Sequence, residues 1–543
     1  MQTFSRLIAP EVFSRKDPVQ RYFYSAMNFL LHRGACLFLC LSCLSAVAAG
    51  KAEHVVVVVW DGMRPDFITP QYTPTLYAIA REGVFFKNHH AVFVSSTEVN
   101  GTAIATGVYP DRSGIMANSD YRPEIGYSGA VGTESLDAVR RGDLLSSGHY
   151  LPVPTVAEIL QRAGHPTIIA GTKAVALLHD RAIKRTSKTA SNSVNLFKGR
   201  TLPSSALPAI VKANERDFPT NVTHPNTAQD AWTTKALTHT LWKKGVPKYT
   251  LLWLSDPDAS QHETSPGSDV SLAGIENSDK NLAEVIKALD EKKVLAQTDI
   301  MIVSDHGFSS VQRTRSVSES LRKLKFVAGS KLEDPEPGDV ITVGLGGSTM
   351  LYVIDDDEAV MRRLVDFLQT TDYAGVIFSR IPMEGTFPIN QMRIGTTNAP
   401  DIIVSLRWTA DKNEWGAPGM ILSDGGKKGG GTHASLSHFD MNNTLVAMGP
   451  DFKRGMINDL PSGNADIAPT VLAILGVKPP QPMDGRVLTE ALLDFDGDVP
   501  KPEHKTIEAS RDLPLVRWHQ YLKYTTMGKS IYFDEGNGGP VRK

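Results

Sequence analysis

The chain has 543 residues, 41% of them hydrophobic and 21% charged. These are the proportions of a globular protein, and the length allows several domains or one large α/β enzyme carrying insertions. A formal net charge of -2 gives no electrostatic case for a nucleic-acid or anionic-membrane partner.

In chain order, the first feature is an apolar stretch over 35–49, preceded by His32 and Arg33. It is too short to span a bilayer comfortably. It ends in Ala46-Val47-Ala48-Ala49-Gly50, a small-residue cleavage pattern. This reads as a secretory signal peptide, with an uncleaved N-terminal helix as the alternative. Signal peptides begin close to their apolar run, so Met27 is a candidate true start and residues 1–26 an upstream extension. The expected location is secreted or periplasmic, with no membrane attachment after cleavage. All three cysteines, Cys36, Cys40 and Cys43, fall in this stretch. The remainder therefore offers no disulfide, no thiolate ligand and no Cys nucleophile. A metal there must be held by His and carboxylates.

Next, His54-Val55-Val56-Val57-Val58-Val59-Trp60 is a continuous β-branched run. Such a run predicts a central parallel strand buried on both faces. Asp61-Gly62 follows at once, and Tyr72-Thr73-Pro74-Thr75-Leu76 opens a helix with Pro74 in its first turn. Further strands are expected at 167–170, 249–254, 299–303, 349–354, 402–406 and 444–447. Helices are expected at 154–163, 227–244, 282–292 and 467–475. This alternation predicts an α/β fold with a mostly parallel sheet and helices on both faces. Ligands in such folds sit at the C-terminal ends of the strands. The expected division is a leader at 1–50, a catalytic core at 51–310 and 429–490, and a small α+β subdomain inserted at 311–428. A polar tail at 491–543 holds one strand, over 530–533.

Five segments carry chemistry. Asp61 ends a buried strand, where it is a metal ligand or a helix cap. Ser95-Ser96-Thr97-Glu98-Val99-Asn100 crowds hydroxyls at an apparent helix start. A helix N-terminus suits an anion, so Thr97 is a candidate nucleophile and Asn100, one turn on, a candidate donor to a phosphoryl oxygen. The alternative is that Ser95 to Thr97 only cap the helix. Asp258 and His262 follow the strand at 249–254, and Ser304-Asp305-His306-Gly307 follows that at 299–303. A buried Asp beside a His is costly unless paired or metal-bound. Last, Gly431-Thr432-His433 supplies a His after a glycine run, either a ligand or a solvated loop residue. Three Asp and three His suffice for two four- or five-coordinate zinc ions with positions left open for substrate; the same donors admit Mn²⁺ or Fe.

In this order and context the segments resemble the alkaline phosphatase superfamily, and within it the type I phosphodiesterase/nucleotide pyrophosphatase family. The matching pieces are Asp61-Gly62, Thr97 with Asn100 and Thr106-Gly107-Val108-Tyr109-Pro110, Pro257-Asp258 with His262, Ser304-Asp305-His306-Gly307, and Gly431-Thr432-His433. The resemblance implies an alkaline-phosphatase-like three-layer α/β/α fold and a two-zinc hydrolase of phosphate esters. Asp258, His262 and His433 would hold one zinc. Asp61, Asp305 and His306 would hold the other, with Thr97 as its alkoxide ligand and nucleophile, and a phosphothreonine intermediate. Asn100 would contact a phosphoryl oxygen. In related bacterial phosphatases a Lys placed like Lys173, after the strand at 167–170, binds the phosphate; the alternative here is a surface Lys. The chain departs from the eukaryotic-type pattern at Glu98, Val99 and Gly101, where that family has an aromatic, a proline and a bulky residue. Position 97 is Thr, which sets the sulfatases aside. The leader argues against the cytosolic phosphoglycerate mutases. The expected substrate is a small phosphodiester or pyrophosphate. A phosphomonoester is the second possibility, and a non-catalytic zinc-binding protein on the same fold the third.

Overall fold

The computed structural model describes residues 50–182, 190–494 and 499–543. The leader reading, with Cys36, Cys40 and Cys43, lies outside them. The β-branched run forms β1, His54–Trp60, with six of its seven residues buried. It is central in a nine-stranded sheet. The other strands are β2 (Val84–Phe86), β3 (Thr167–Gly171), β4 (Val194–Phe197), β5 (Arg200–Leu202), β6 (Tyr249–Leu254), β7 (Thr298–Val303), β8 (Leu445–Met448) and β9 (Met456–Asn458). Their order is β9-β2-β8-β7-β1-β6-β3-β4-β5. β7, β1, β6, β3 and β4 run parallel, whereas β8 is antiparallel to both β7 and β2, and β5 is antiparallel to β4. The sheet is thus mixed, with its parallel part under the candidate site.

Alternation along β1 builds the three layers. Val55, Val57 and Val59 enter one core with Ile104, Leu160 and Val471 from helices Thr97–Thr106, Val156–Arg162 and Ile467–Ile474. Val56, Val58 and Trp60 enter the opposite core with Leu76, Trp232 and Leu282. The latter two come from Thr227–Lys235 and from Asp269–Glu291, a helix 23 residues long that begins well before the expected 282. Its first half carries few apolar residues, and Ser268 caps it by accepting from Ser271 N–H.

A six-stranded sheet is built from strands between Ala328 and Pro388 together with Ile402–Leu406. The Glu358–Leu368 helix covers one face through Met361, Leu364, Val365 and Leu368. The other face places Val343, Met350, Val376 and Phe378 against Phe93, Val94, Val99 and Ala103, the segment that carries Thr97. A four-stranded sheet pairs Ser309 with Thr432 and so fixes the chain just before His433.

The tail differs from expectation. It forms a three-stranded antiparallel sheet, Glu503–Asp512, Val516–Met527 and Ser530–Arg542, rather than one short strand. Trp518, Leu522 and Phe533 are buried in the same cores as the inserted sheet.

Candidate active site

Neighbouring parallel strands end in register, Val59 opposite Val303 and Trp60 opposite Leu254. Their C-terminal loops therefore converge. Asp61 follows β1, Asp258 follows β6, and Asp305 and His306 follow β7. Gly62 is required between them. Its φ is +73°, and a Cβ would lie 3.0 Å from Phe308 and 3.2 Å from Asp258. The Asp258 N–H donates to Asp61 O at 2.9 Å, tying two of these loops together.

Two triads result. Asp61, Asp305 and His306 form one, and Asp258, His262 and His433 the other; within each, one ligand-type atom per residue lies within 4.8 Å of the others. His306 Nε2 is 3.3 Å from Asp305 Oδ2 and 3.6 Å from Asp61 Oδ1. His262 Nε2 and His433 Nε2 are 3.2 and 3.6 Å from Asp258 Oδ1. The triads meet where the His306 and His433 rings stack at 3.7 Å.

The chemistry of these donors fits metal ions. His262, His306 and His433 each place Nδ1 on a main-chain carbonyl, of Gly431, Gly307 and Ser95, at 3.0, 2.9 and 2.8 Å. A carbonyl only accepts, so Nδ1 carries the proton and Nε2 presents a lone pair. On the carboxylate side, Asp61 Oδ1, Asp258 Oδ1 and Asp305 Oδ2 are buried without a hydrogen-bond partner. These are the oxygens nearest the Nε2 atoms. Burial raises Asp61 well above the usual carboxylate range, reinforced by Asp305, and raises Asp305 to about 7. Burial also lowers His306, and lowers His433 strongly, aided there by His306. A multivalent cation would offset the carboxylates and accept the neutral imidazoles.

Lys173, just past β3, bridges the triads. Its ammonium is 3.0 Å from Asp61 Oδ2 and 2.9 Å from Asp258 Oδ2. It is a site cation rather than a surface Lys. Burial opposes the charge on Asp258, yet Lys173 and His262 outweigh it and hold that carboxyl well below its usual value.

Thr97 opens its helix after Ser96, which is extended at the N-cap position. Its Oγ1 is 3.4 Å from His306 Nε2 and the residue is 1% exposed. The Thr97 hydroxyl therefore stands at the positive end of a helix, beside one triad. The helix can sit this close to the sheet because residue 101 is Gly. A Cβ there would lie 2.5 Å from Val175 and 3.2 Å from Trp253.

Asn100 requires a correction. Its Nδ2 donates to Val92 O and Ser96 O, both at 3.0 Å, while Oδ1 accepts from Val92 N and Asn464 Nδ2. Both amide hydrogens are committed, leaving none for a phosphoryl oxygen. The side chain instead pins the loop that leads into Thr97. A second amide near Thr97, Asn118, was not singled out from the sequence. Its Oδ1 accepts from Glu98 N–H at 3.2 Å, and among the described residues its Nδ2 donates to no protein group. Its only sequence signal is one amide after the apolar run Ile115-Met116-Ala117, all three fully buried.

The family model for type I phosphodiesterase/nucleotide pyrophosphatase matches residues 55–410. The chain belongs to the type I phosphodiesterase/nucleotide pyrophosphatase family. The match contains every triad residue except His433. Human ectonucleotide pyrophosphatase/phosphodiesterase family member 5 is 24% identical over 267 residues, 49% of this chain and 47% of the relative. The venom phosphodiesterase of Macrovipera lebetinus is 21% identical over 422 residues, 76% of this chain and 42% of the relative. The chain thus spans less than half the length of these two family relatives. Among solved structures, murine ectonucleotide pyrophosphatase/phosphodiesterase 5, an inactive threonine-to-alanine variant in complex with AMP, superposes with a TM-score of 0.57 at 16% identity. That superposition covers 81% of this chain and 100% of the other, and establishes the alkaline-phosphatase-like fold. Among the described residues no helix is long and apolar enough to cross a membrane.

Proposed function

We propose that this family member is a secreted or periplasmic hydrolase of small phosphodiester or pyrophosphate bonds, working through a phosphothreonine at Thr97. The observation that carries the reading is the pairing of two His/Asp triads, with lone pairs and orphaned carboxylate oxygens converging, beside a hydroxyl at a helix N-terminus. The inactive threonine variant of the murine relative supports the nucleophile. Asp61, Asp305 and His306 would hold one divalent cation and Asp258, His262 and His433 the other; the donor set suits Zn²⁺ best. Bound there, two cations would lower the pKa of the Thr97 hydroxyl and neutralise both apical oxygens of an in-line displacement.

The chain's own groups do the rest. Thr97 Oγ1 forms the new bond to phosphorus while the bond to the leaving oxygen breaks. The helix N-terminus and the free Asn118 amide face the equatorial oxygens, taking the role expected of Asn100. Water then cleaves the phosphothreonine and returns the hydroxyl. A second reading, a phosphomonoesterase, is favoured by Lys173, whose ammonium at the junction of the triads matches a dianionic phosphoryl group.

The deciding experiment is a rate panel on p-nitrophenyl phosphate and bis-p-nitrophenyl phosphate with Zn²⁺, for the native chain, Thr97→Ala and Lys173→Ala. Thr97→Ala should lose on the order of 10³-fold or more in kcat on either ester. An acid-quenched native sample should carry a phosphoryl group on Thr97. An unchanged rate in Thr97→Ala defeats the nucleophile assignment, and full activity after chelation defeats the metal assignment. A loss in Lys173→Ala confined to the monoester supports the second reading; equal loss on both esters rejects it.

A further inference from the structure

Trp253 is the next-to-last residue of β6, opposite Val59 of β1 and Gly171 of β3. Alternation along the strand puts its indole in the core that also receives the Thr97–Thr106 helix, and the residue is fully buried. From there it reaches two parts of the site. Its Nε1 donates to Asp61 Oδ2 at 2.8 Å. The far edge of its ring passes beneath Gly101, with Cη2 and Cζ3 at 3.2 and 3.3 Å from the position a Cβ at residue 101 would take. Gly101 is one of the places where the chain departs from the eukaryotic-type pattern, so the space of a bulky residue is taken here by the indole. The His179 ring meets the indole edge-on at 5.9 Å and closes it in.

An indole N–H only donates, and it has one direction. Lys173 also lies 3.0 Å from Asp61 Oδ2, so that oxygen is engaged twice. Oδ1 is left without a partner, and it is the oxygen 3.6 Å from His306 Nε2. The two oxygens of one carboxylate thereby receive different tasks. Lys173 cannot assign them alone, because its ammonium is shared with Asp258 Oδ2 and swings on a long side chain. The indole can, because its ring is packed between the nucleophile's helix and His179 and cannot turn.

We propose that Trp253 is the positioning residue for Asp61: its indole N–H occupies Oδ2 and so turns Oδ1 toward the metal position of Asp61, Asp305 and His306, while its ring, seated under Gly101, sets the spacing between that carboxylate and the Thr97 helix. This rests on the metal assignment above and adds to it the group that orients one ligand. Partners that hydrogen-bond to ligating side chains carry effects of about 10- to 100-fold on metal affinity or activity. An indole has a single N–H, so the effect falls on one triad and spares Asp258, His262 and His433.

The test withdraws Zn²⁺ from the loaded full chain with graded amounts of a chromogenic chelator and records near-ultraviolet difference spectra on the same samples. The native chain should release two ions, and release of the one beside Asp61 should shift the indole absorption. Trp253→Phe keeps a ring and removes the donor. It should weaken one of the two ions by about 10- to 100-fold, leave the other unchanged, and lose the spectral shift. Loss of one ion with retention of the other is what mere loosening of the fold would not produce. At saturating Zn²⁺ its kcat on bis-p-nitrophenyl phosphate should fall by about tenfold. Trp60→Phe is the control, since Trp60 adjoins Asp61 in the chain but its Nε1 has no partner, and it should keep the shift. Asp61→Ala, with Trp253 intact, should abolish the shift, which reads the contact even where Trp253→Phe does not fold. A native chain that holds no Zn²⁺ overturns the metal assignment and this inference together. Two ions held with native affinity by Trp253→Phe, a shift that survives Trp253→Phe or Asp61→Ala, or a shift that vanishes in Trp60→Phe overturns this inference alone.

Discussion

At the scale of single residues, the site separates side chains that hold the scaffold from those that face the substrate. Asn100 and Asn118 are the sharpest pair. Asn100 is fully buried and makes four hydrogen bonds, two as donor and two as acceptor. Truncating it orphans several buried groups, each worth about 1–3 kcal/mol. Asn100→Ala should therefore lower the unfolding free energy by on the order of 3 kcal/mol. Asn118 is half-buried and gives up one hydrogen bond, its acceptance from Glu98 N–H, so Asn118→Ala should lower the melting temperature less than Asn100→Ala does yet cut kcat by on the order of 10²-fold. Melting curves and rates on one preparation separate them; a stable Asn100→Ala with lost turnover would reverse the assignment. The contrast marks what sequence carries at this scale. Asp61, Asp258, Asp305 and the three His were readable because loop His and Asp after buried strands have few structural uses. Which of two nearby asparagines spends its amide on the backbone is set by contacts with Val92 and Asn464, far away along the chain or across a turn.

At the scale of elements, continuous apolar strands announced themselves. β1 and β6 fall where the β-branched and aromatic runs place them, because burial on both faces leaves no room for polar residues. The long helix at Asp269–Glu291 and the tail strands did not. In Val516–Met527 the buried side chains alternate, but they include Gln520 and Thr525, and the next strand carries Gly536, Gly538 and Gly539. Gln520 serves as a backbone clasp, accepting from Ile377 N and donating to Ile377 O. One element also carries a pH-dependent cost. Asp299, near the start of β7, is buried with Oδ2 unpartnered, and its Oδ1 accepts from Asp451 N. The Asp451 carboxyl in turn accepts from Lys51 N and Ala52 N. Burial, reinforced by Asp451, pushes Asp299 up to about 8. The unfolded chain releases this proton near pH 4 and the folded chain only near 8, so the folded state binds more protons between them and stability falls as pH rises through that window. Asp299→Asn keeps an acceptor for Asp451 N and removes the ionisation. It should match the native chain at pH 4 and exceed it at pH 8, by on the order of a few kcal/mol. Denaturant unfolding across that range checks this, and a constant offset at every pH would refute it.

At the scale of the whole molecule, the tail sheet fastens the inserted sheet to the loops behind the site. Trp518 donates from Nε1 to Gly385 O, Tyr532 donates to Asp466 Oδ2, and Asp534 pairs with His90 at 2.9 Å. Asn464, two residues before Asp466, reaches Asp305 O, Asn100 Oδ1 and His89 Nε2. The chain end thus leads, through buried polar contacts, to the backbone of one triad and to the loop before Thr97. The described residues form one compact unit, as this arrangement requires. Trp518 is fully buried in the core shared by the tail, the inserted sheet and its helix. Replacing it by Ala should cost about 3–5 kcal/mol, the usual range for a buried aromatic. Because the tail is packed into the insert rather than laid upon it, this loss should appear as a lower melting temperature of a single calorimetric transition. The rate on bis-p-nitrophenyl phosphate, measured well below that temperature, should fall less than about threefold, since Trp518 touches no group of the site and additivity holds between distant positions. A separate low-temperature transition in Trp518→Ala, with the main one unmoved, would mean that the tail unfolds independently and that Thr97 is held without it.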